Sequence, residues 1–175
     1  MSIATATTRH VVIDSPIGQL TLVRDDVGLT GLYYPGHWTR PDRATFGPRV
    51  EPSGDHGFDE AIAQLREYFA GERHEFNVPL NPLGGERARQ VWQLLAEIPY
   101  GRTTTYGALA DKIGGGVDAR DIGSFVGANP LSIFIPCHRV VGSTGKLIGY
   151  AGGLDRKQHL LELENAIAAP PPALW

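Results

Sequence analysis

Cysteine is nearly absent from this chain: one residue in 175, Cys137. A single thiol excludes an internal disulfide framework and any zinc site built on paired cysteines, and no metal is expected although six histidines are present. No apolar run approaches the roughly 18 residues that a membrane span needs. Nor does Met1-Ser2-Ile3-Ala4-Thr5 form a basic, hydrophobic leader, so the expectation is a cytoplasmic protein without membrane association. Strong charge of either sign is lacking too. The net charge of −3 argues against a broad nucleic-acid-binding surface, because phosphates are contacted mainly by Lys and Arg. That average hides an asymmetry: residues 1–85 hold 7 Lys+Arg against 11 Asp+Glu, and residues 86–175 hold 9 against 8. Any DNA-facing surface therefore belongs to the second half, and is small with modest salt dependence.

What is present suits a globular protein of one large or two small domains, with 42% hydrophobic and 20% charged residues. His10-Val11-Val12-Ile13, Gln19 to Arg24 and Leu29 to Tyr34 read as strands of a β-meander, with turn chemistry at Ser15-Pro16-Ile17-Gly18 and Asp25-Asp26-Val27-Gly28. Residues 35–57, rich in Pro, Gly and charge, read as a surface loop. Phe58, Ile62, Leu65 and Phe69 recur at helical spacing until Gly71. Two prolines and two adjacent glycines in Val78 to Gly85 place a boundary near residue 84, giving domains 1–84 and 85–165 and a low-complexity tail 166–175.

The second half is helical in short pieces. Val91, Leu94, Leu95 and Ile98 mark one helix, stopped by Pro99 and Gly101. Thr104 or Thr105 caps the next, which carries Tyr106, Leu109, Ala110 and Ile113 on one face and ends at Gly114-Gly115-Gly116. Asp118 caps a third helix, with Ala119, Ile122, Phe125 and Val126 inward until Asn129-Pro130. Two short helices around a glycine turn suggest a helix-turn-helix, a pattern that plain helix packing also produces. Asp155 is the expected cap of a last helix running through Leu160, Leu161 and Leu163 to Glu164.

Against this background Cys137 stands out. It lies in Ile135-Pro136-Cys137-His138-Arg139-Val140, followed 27 residues later by Glu164. Most isolated cysteines pack as small hydrophobes, but an inert core cysteine does not require two chargeable neighbours in an apolar run. A thiol with a pKa of about 8.5 is only a few per cent thiolate at neutral pH, so a nucleophilic cysteine needs a base beside it. His138 is the candidate for that base. In an extended chain adjacent side chains diverge, so His138 would reach the sulfur through a bridging water. Its other nitrogen needs an acceptor, and Glu164 is the candidate, the alternative being a solvated helix-end carboxylate.

The Pro-Cys-His-Arg element, preceded by Asn129-Pro130 and followed by Gly149-Tyr150-Ala151-Gly152-Gly153 and Lys157, resembles the O6-alkylguanine-DNA alkyltransferase family. The likeness runs from about Val91 to Glu164, with weaker familial marks at Asp14 to Gly18 and Tyr68 to Gly71. It implies an α+β fold: an N-terminal ribonuclease-H-like α/β domain, then a mainly helical domain with a winged-helix-like helix-turn-helix. It implies direct-reversal DNA repair without a cofactor, in which Cys137 takes the alkyl group from O6 of guanine in double-stranded DNA and is consumed. O4-alkylthymine is a second candidate lesion. His138 would be the water-mediated base, Glu164 its orienting carboxylate, and Tyr106 the proton donor to the departing guanine, where the residue pattern alone reads a core aromatic.

By the same resemblance the second helix of the pair enters the minor groove, which favours small residues such as Ala119, Gly123, Gly127 and Ala128. Arg120 fills the space left by the extruded base, where pattern alone gives a phosphate contact or a solvated charge. Thr105 is a further DNA contact. Val140, Ser143, Tyr150, Ala151 and Gly152 would line the base pocket, with Asn129 and Lys157 as supports. The protein would act as a monomer, with protein–protein contacts when several bind DNA. This sequence departs from the family at Asp121, where a small residue is usual and a carboxylate stands near the phosphates, and at Arg87, where an aromatic is common. Two other classes compete: a non-catalytic lesion binder, disfavoured by the presence of Cys137, and a Cys/His hydrolase or redox protein, disfavoured by the absence of a resolving cysteine and of an oxyanion-hole motif.

Overall fold

Alternating apolar side chains in the first third produce three antiparallel strands, β1 (Arg9–Ile13), β2 (Leu20–Arg24) and β3 (Leu29–Tyr33), in the order β1-β2-β3. In this computed structural model, which describes residues 7–54 and 56–167, Val11 pairs with Leu22 and Leu22 with Leu32, all three fully buried. The expected β-meander is thus present. The Asp25 carboxylate closes the β2–β3 turn by accepting from the amides of Val27 (2.9 Å) and Gly28 (3.0 Å), the local bonding that makes aspartate a turn residue. Helix α1 (Asp59–Phe69) turns Ala61, Ile62, Leu65 and Tyr68 into the core. The segment 35–57 read as a surface loop holds more than that. It has a 3₁₀ turn at Arg43–Phe46 with Phe46 buried, and its start, from His37, docks on the second half through the Trp38 amide and the Ala151 carbonyl, 2.9 Å apart.

The second half comprises α2 (Glu86–Ala96), β4 (Thr104–Thr105), α3 (Tyr106–Ile113), α4 (Ala119–Gly127), β5 (Val140–Val141) and α5 (Leu154–Leu163). Thr105 caps α3 by accepting from the Ala108 amide at 3.1 Å. Gly114, Gly115 and Gly116 follow with φ of 68°, 65° and 79°, three consecutive left-handed residues that only glycine adopts without strain. This tight turn folds α4 back onto α3, and the Trp92 indole of α2 donates to the Phe125 carbonyl of α4 at 2.9 Å. The last helix begins differently from expectation: Gly153 occupies its cap position and offers no side chain, while Asp155 lies in the first turn. There its charge complements the helix dipole without closing a cap.

Two-residue strands β4 and β5 pair in parallel, Thr104 with Val140 and Thr105 with Val141. This short ladder carries the turn containing Cys137 to the start of α3. One hydrophobic cluster runs unbroken from Val11 and Leu22 of the sheet through Trp92 and Ile122 to Leu160. No helix among the described residues is long and apolar enough to cross a membrane. Most of the expected low-complexity tail, from residue 168 onward, lies outside the described residues.

Candidate active site

The segment that delivers the cysteine is held by the side chain of Asn129, 2% exposed. Its Nδ2 donates to the Ile135 carbonyl (2.9 Å) and its Oδ1 accepts from the Leu131 amide (3.0 Å), folding residues 129–135 into a loop. The Pro130 carbonyl also accepts from the Leu32 amide at 2.8 Å, tying that loop to β3. Within it the buried Ile133 has φ of 73°. A β-branched residue in the left-handed region is strained, and such strain persists only where the surroundings enforce it.

Cys137–Arg139 then form a 3₁₀ turn rather than an extended chain. Three residues per turn send successive side chains about 120° apart, so Cys137 faces an opening while His138 and Arg139 face inward to Glu164, the residue that ends α5. His138 Nε2 lies 2.7 Å from Glu164 Oε2. Arg139 donates from Nε to Oε1 (2.8 Å), from Nη2 to Oε2 (3.0 Å) and from Nη1 to the Ile98 carbonyl (2.6 Å). The Tyr68 hydroxyl donates to Oε2 at 2.6 Å. Burial alone would push the Glu164 carboxyl up; hydrogen bonds and charge from His138 and Arg139 outweigh it and hold the group at about 2. Glu164 is therefore an anion, and the bond to it fixes the proton of a neutral His138 on Nε2.

That leaves His138 Nδ1 as the basic nitrogen. It is buried and has no hydrogen-bond partner among the described residues. Burial lowers the His138 pKa despite its carboxylate neighbour, so at neutral pH the ring is ready to accept a proton. Burial also pushes the Cys137 thiol up, against the opposing influence of the Asn129 side chain, the Lys157 charge and Ser132. The resting group is thus a thiol beside a neutral base. Lys157, fully buried, donates to the carbonyls of Val140 (2.6 Å) and Gly149 (2.9 Å). Its desolvation brings it down to about 8.

The opening, about 900 Å³, is lined by Tyr106, Ala119, Arg120, Gly123, Cys137, Tyr150 and Ala151 among the residues singled out from sequence. Ala119 and Arg120 sit exposed in the first turn of α4. Others stand elsewhere. Val140 is fully buried in β5, Ser143 is exposed in the following turn, and Gly152 packs on the ring of Tyr34 and lines an adjoining recess. Thr105 serves as the cap of α3, and Asn129 reaches the wall of the opening. Among the described residues no cluster of three or more metal-ligating side chains occurs.

Several participants were not read from sequence. Trp38, Ile148 and Leu154, three of the large hydrophobics that remain exposed, line the same opening. Arg139 and Tyr68 hold Glu164. An arginine inside an apolar run is a signal that could have marked Arg139 as the counter-ion of a buried carboxylate, whereas nothing in sequence links Tyr68 to a residue 96 positions away.

Residues 86–166 match the family described as "6-O-methylguanine DNA methyltransferase, DNA binding domain", and residues 8–82 match "6-O-methylguanine DNA methyltransferase, ribonuclease-like domain". The methylated-DNA–protein-cysteine methyltransferase of Mycolicibacterium paratuberculosis is 48% identical over 155 residues, covering 87% of this chain and 90% of that protein. The Methanosarcina acetivorans protein of the same name is 41% identical over 157 residues, covering 90% and 98%. The crystal structure of Mycobacterium tuberculosis OGT in complex with DNA superposes with a TM-score of 0.81 at 44% identity, covering 90% of this chain and 93% of that one.

Proposed function

The chain belongs to the 6-O-methylguanine DNA methyltransferase family, and from that premise we propose that Cys137 is the alkyl acceptor and is consumed in a single turnover. The activity is DNA repair by transfer of the methyl group from O6-methylguanine to a protein cysteine, that of a methylated-DNA–protein-cysteine methyltransferase. The observation that carries the residue assignment is the arrangement behind Cys137: a neutral imidazole, its proton fixed on Nε2 by an ionised Glu164 2.7 Å away, with the buried Nδ1 left without a partner among the described residues.

The thiol proton passes to His138 Nδ1 through a water as the sulfur attacks the alkyl carbon. The carbon–O6 bond breaks, its electron pair stays on the guanine, and Tyr106, at the wall of the opening, supplies the proton that neutralises the base. The alkyl group ends on sulfur and, in the net balance, the thiol proton ends on guanine. Burial pushes the Tyr106 phenol up, as does the adjacent Cys137, so it remains protonated until needed. No step draws on a cofactor, and a thioether has no route back to the thiol.

A target base must leave the duplex to reach Cys137, which is 5% exposed, and extrusion is least costly for a damaged pair. Arg120 stands at the lip of the opening, on a helix whose facing residues Gly123, Gly127 and Ala128 are small enough to enter a groove. It is the residue to fill the vacated stack. Tyr150 and Ala151 form the wall of the base pocket. A consumable thiol must stay reduced, which suits a cytoplasmic protein, and one Cys137 per monomer suffices for the reaction.

Intact mass after incubation with a duplex containing O6-methylguanine tests the assignment. The expected gain is about 14 Da, a methyl replacing the thiol proton, once per molecule and absent in Cys137→Ala. A protein that binds the duplex without mass gain is a lesion binder. Turnover beyond one equivalent also defeats the assignment.

A further inference from the structure

We propose that Tyr34, just beyond β3 in the N-terminal half, is a positioning residue for the alkyl-transfer site and acts through the phenol of Tyr150. The proposal rests on the reading of Cys137 as alkyl acceptor, since its functional consequence is at the opening that Tyr150 and Cys137 both line.

Tyr34 is fully buried, and its hydroxyl oxygen lies 2.6 Å from that of Tyr150, 116 residues away in sequence. The two rings meet at 5.6 Å between centroids with a 59° tilt. On its other side Tyr34 receives the loop that carries Tyr150. A Cβ on Gly152 would fall 2.6 Å from Tyr34 Cδ2, so the loop lies flat on the ring only because position 152 has no side chain. Arg156 covers the ring, its Cζ 5.1 Å from the centroid, and donates to the carbonyls of Gly152 (2.9 Å) and Ile17 (2.8 Å). Four positions further along the first half, the Trp38 amide holds the Ala151 carbonyl at 2.9 Å. The wall formed by Tyr150 and Ala151 is therefore fastened from the N-terminal half, while Lys157 fastens the preceding Gly149 carbonyl from α5.

The direction of the phenol–phenol bond follows from burial. Tyr34 has no hydrogen-bond partner for its hydroxyl among the described residues other than Tyr150. A buried O–H left without an acceptor is costly, so Tyr34 donates and Tyr150 accepts. The proton of Tyr150 then points away from Tyr34, available to the neighbouring Ser132 hydroxyl or to an acceptor on a ligand in the opening. Tyr34 thus fixes both the place of the Tyr150 oxygen and its role as a donor.

Tyr34→Phe keeps the ring and removes the bond. In single-turnover kinetics normalised to the fraction of protein finally alkylated, its transfer rate is expected to fall about threefold to tenfold, the range that a lost hydrogen bond corresponds to. The loss should be alike for duplex O6-methylguanine and free O6-benzylguanine, with duplex affinity unchanged. Tyr150→Phe should lose as much, and the double variant should be no slower than Tyr150→Phe alone. Tyr34→Leu, which also removes the ring, should lower the melting temperature; Phe should restore the temperature but not the rate. Hydrogen exchange of the Gly153 amide, which donates to the Tyr150 carbonyl at 3.0 Å, should quicken in Tyr34→Phe. A Tyr34→Phe variant with the wild-type rate, or losses that multiply in the double variant, overturns the proposal. A wild-type chain that forms no adduct defeats the alkyl-transfer reading instead, and unchanged exchange at Gly153 then defeats the hold of Tyr34 on Tyr150 as well.

Discussion

Glu164 gathers donors from three distant parts of the chain: Tyr68 from α1, His138 and Arg139 from the cysteine turn, and the Gly101 amide at 3.4 Å from the connection after α2. Its folded pKa of about 2 lies below the ordinary 4.5. The stability this provides is complete above pH 4.5 and is lost as pH falls through 2, where the folded state must also take the proton. His138 is likewise held below 6.5 by burial, and His37 is brought down to about 4 by the same cause. The unfolded chain therefore binds extra protons from about pH 6.5 downward, and stability falls at up to about 1.4 kcal/mol per pH unit for each group. Urea unfolding from pH 7 to 2 should show this decline, and Glu164→Gln should flatten the segment between 4.5 and 2. At pH 7 that variant should also be less stable by on the order of 3 kcal/mol, because the buried Arg139 loses its counter-charge. Its alkyl-transfer rate should fall with the loss of a fixed imidazole tautomer. Cys137 and His138 were legible as candidates because reactive side chains in an apolar run have few structural reasons to be there, whereas Glu164, at a helix end, was singled out only as the carboxylate that a histidine base would need. Tyr68 was not legible, since a tyrosine at helical spacing reads as core and here it is both core and hydrogen-bond donor.

Helix α4 begins with a reciprocal cap that sequence reading only half recognised. Asp118 Oδ1 accepts from the Asp121 amide at 2.8 Å, and Asp121 Oδ2 accepts from the Asp118 amide at 3.1 Å. Asp121 therefore has a structural task in addition to placing a negative charge beside Arg120, and a shorter aspartate here does what glutamate usually does in such a box. The two tasks separate in Asp121→Asn. An amide oxygen can still accept from Asp118, so the melting temperature should change little, while loss of the charge should strengthen duplex binding severalfold at low salt, an advantage that fades as salt is raised. Equal affinity for wild type and variant in a salt titration would show that this carboxylate lies away from the phosphates. Arg120 is tested on the same helix. Arg120→Ala should keep its reactivity toward free O6-benzylguanine and lose much of it on duplex DNA, because the gap left by the extruded base goes unfilled. Equal losses on both substrates remove that role. The helix pair itself was readable from Thr105, the glycine run and Asp118. The 3₁₀ turn at Cys137 was not, because it is imposed by the Asn129 bridge and the β4–β5 ladder, and neither partner lies within the turn.

At the scale of the whole molecule, a boundary near residue 84 marks a change in composition but no break in the core. The hydrophobic cluster passes from β2 to α5 without interruption. Polar contacts cross it as well: Leu32 to Pro130, Tyr68 to Glu164, Arg156 to Ile17 and Trp38 to Ala151. The strands and helices on each side were legible from their own periodicity, whereas these crossings were not, because each joins residues with no local pattern in common. Their consequence is that the acidic first half, which sequence offered no role at the site, holds the cysteine loop through β3, the Glu164 carboxylate through Tyr68 and the wall of the opening through Tyr34. The halves should then unfold as one cooperative unit. Trp38 reports on the first half and Trp92 on the second, so two variants, Trp92→Phe/Trp175→Phe and Trp38→Phe/Trp175→Phe, isolate the two signals. Their urea transitions, followed by fluorescence, should share a midpoint and slope once each is referred to its own stability by far-ultraviolet circular dichroism. A Trp38 transition that precedes loss of helix would mean that the first half opens alone, and alkyl transfer in that urea range should then fail before the second half unfolds.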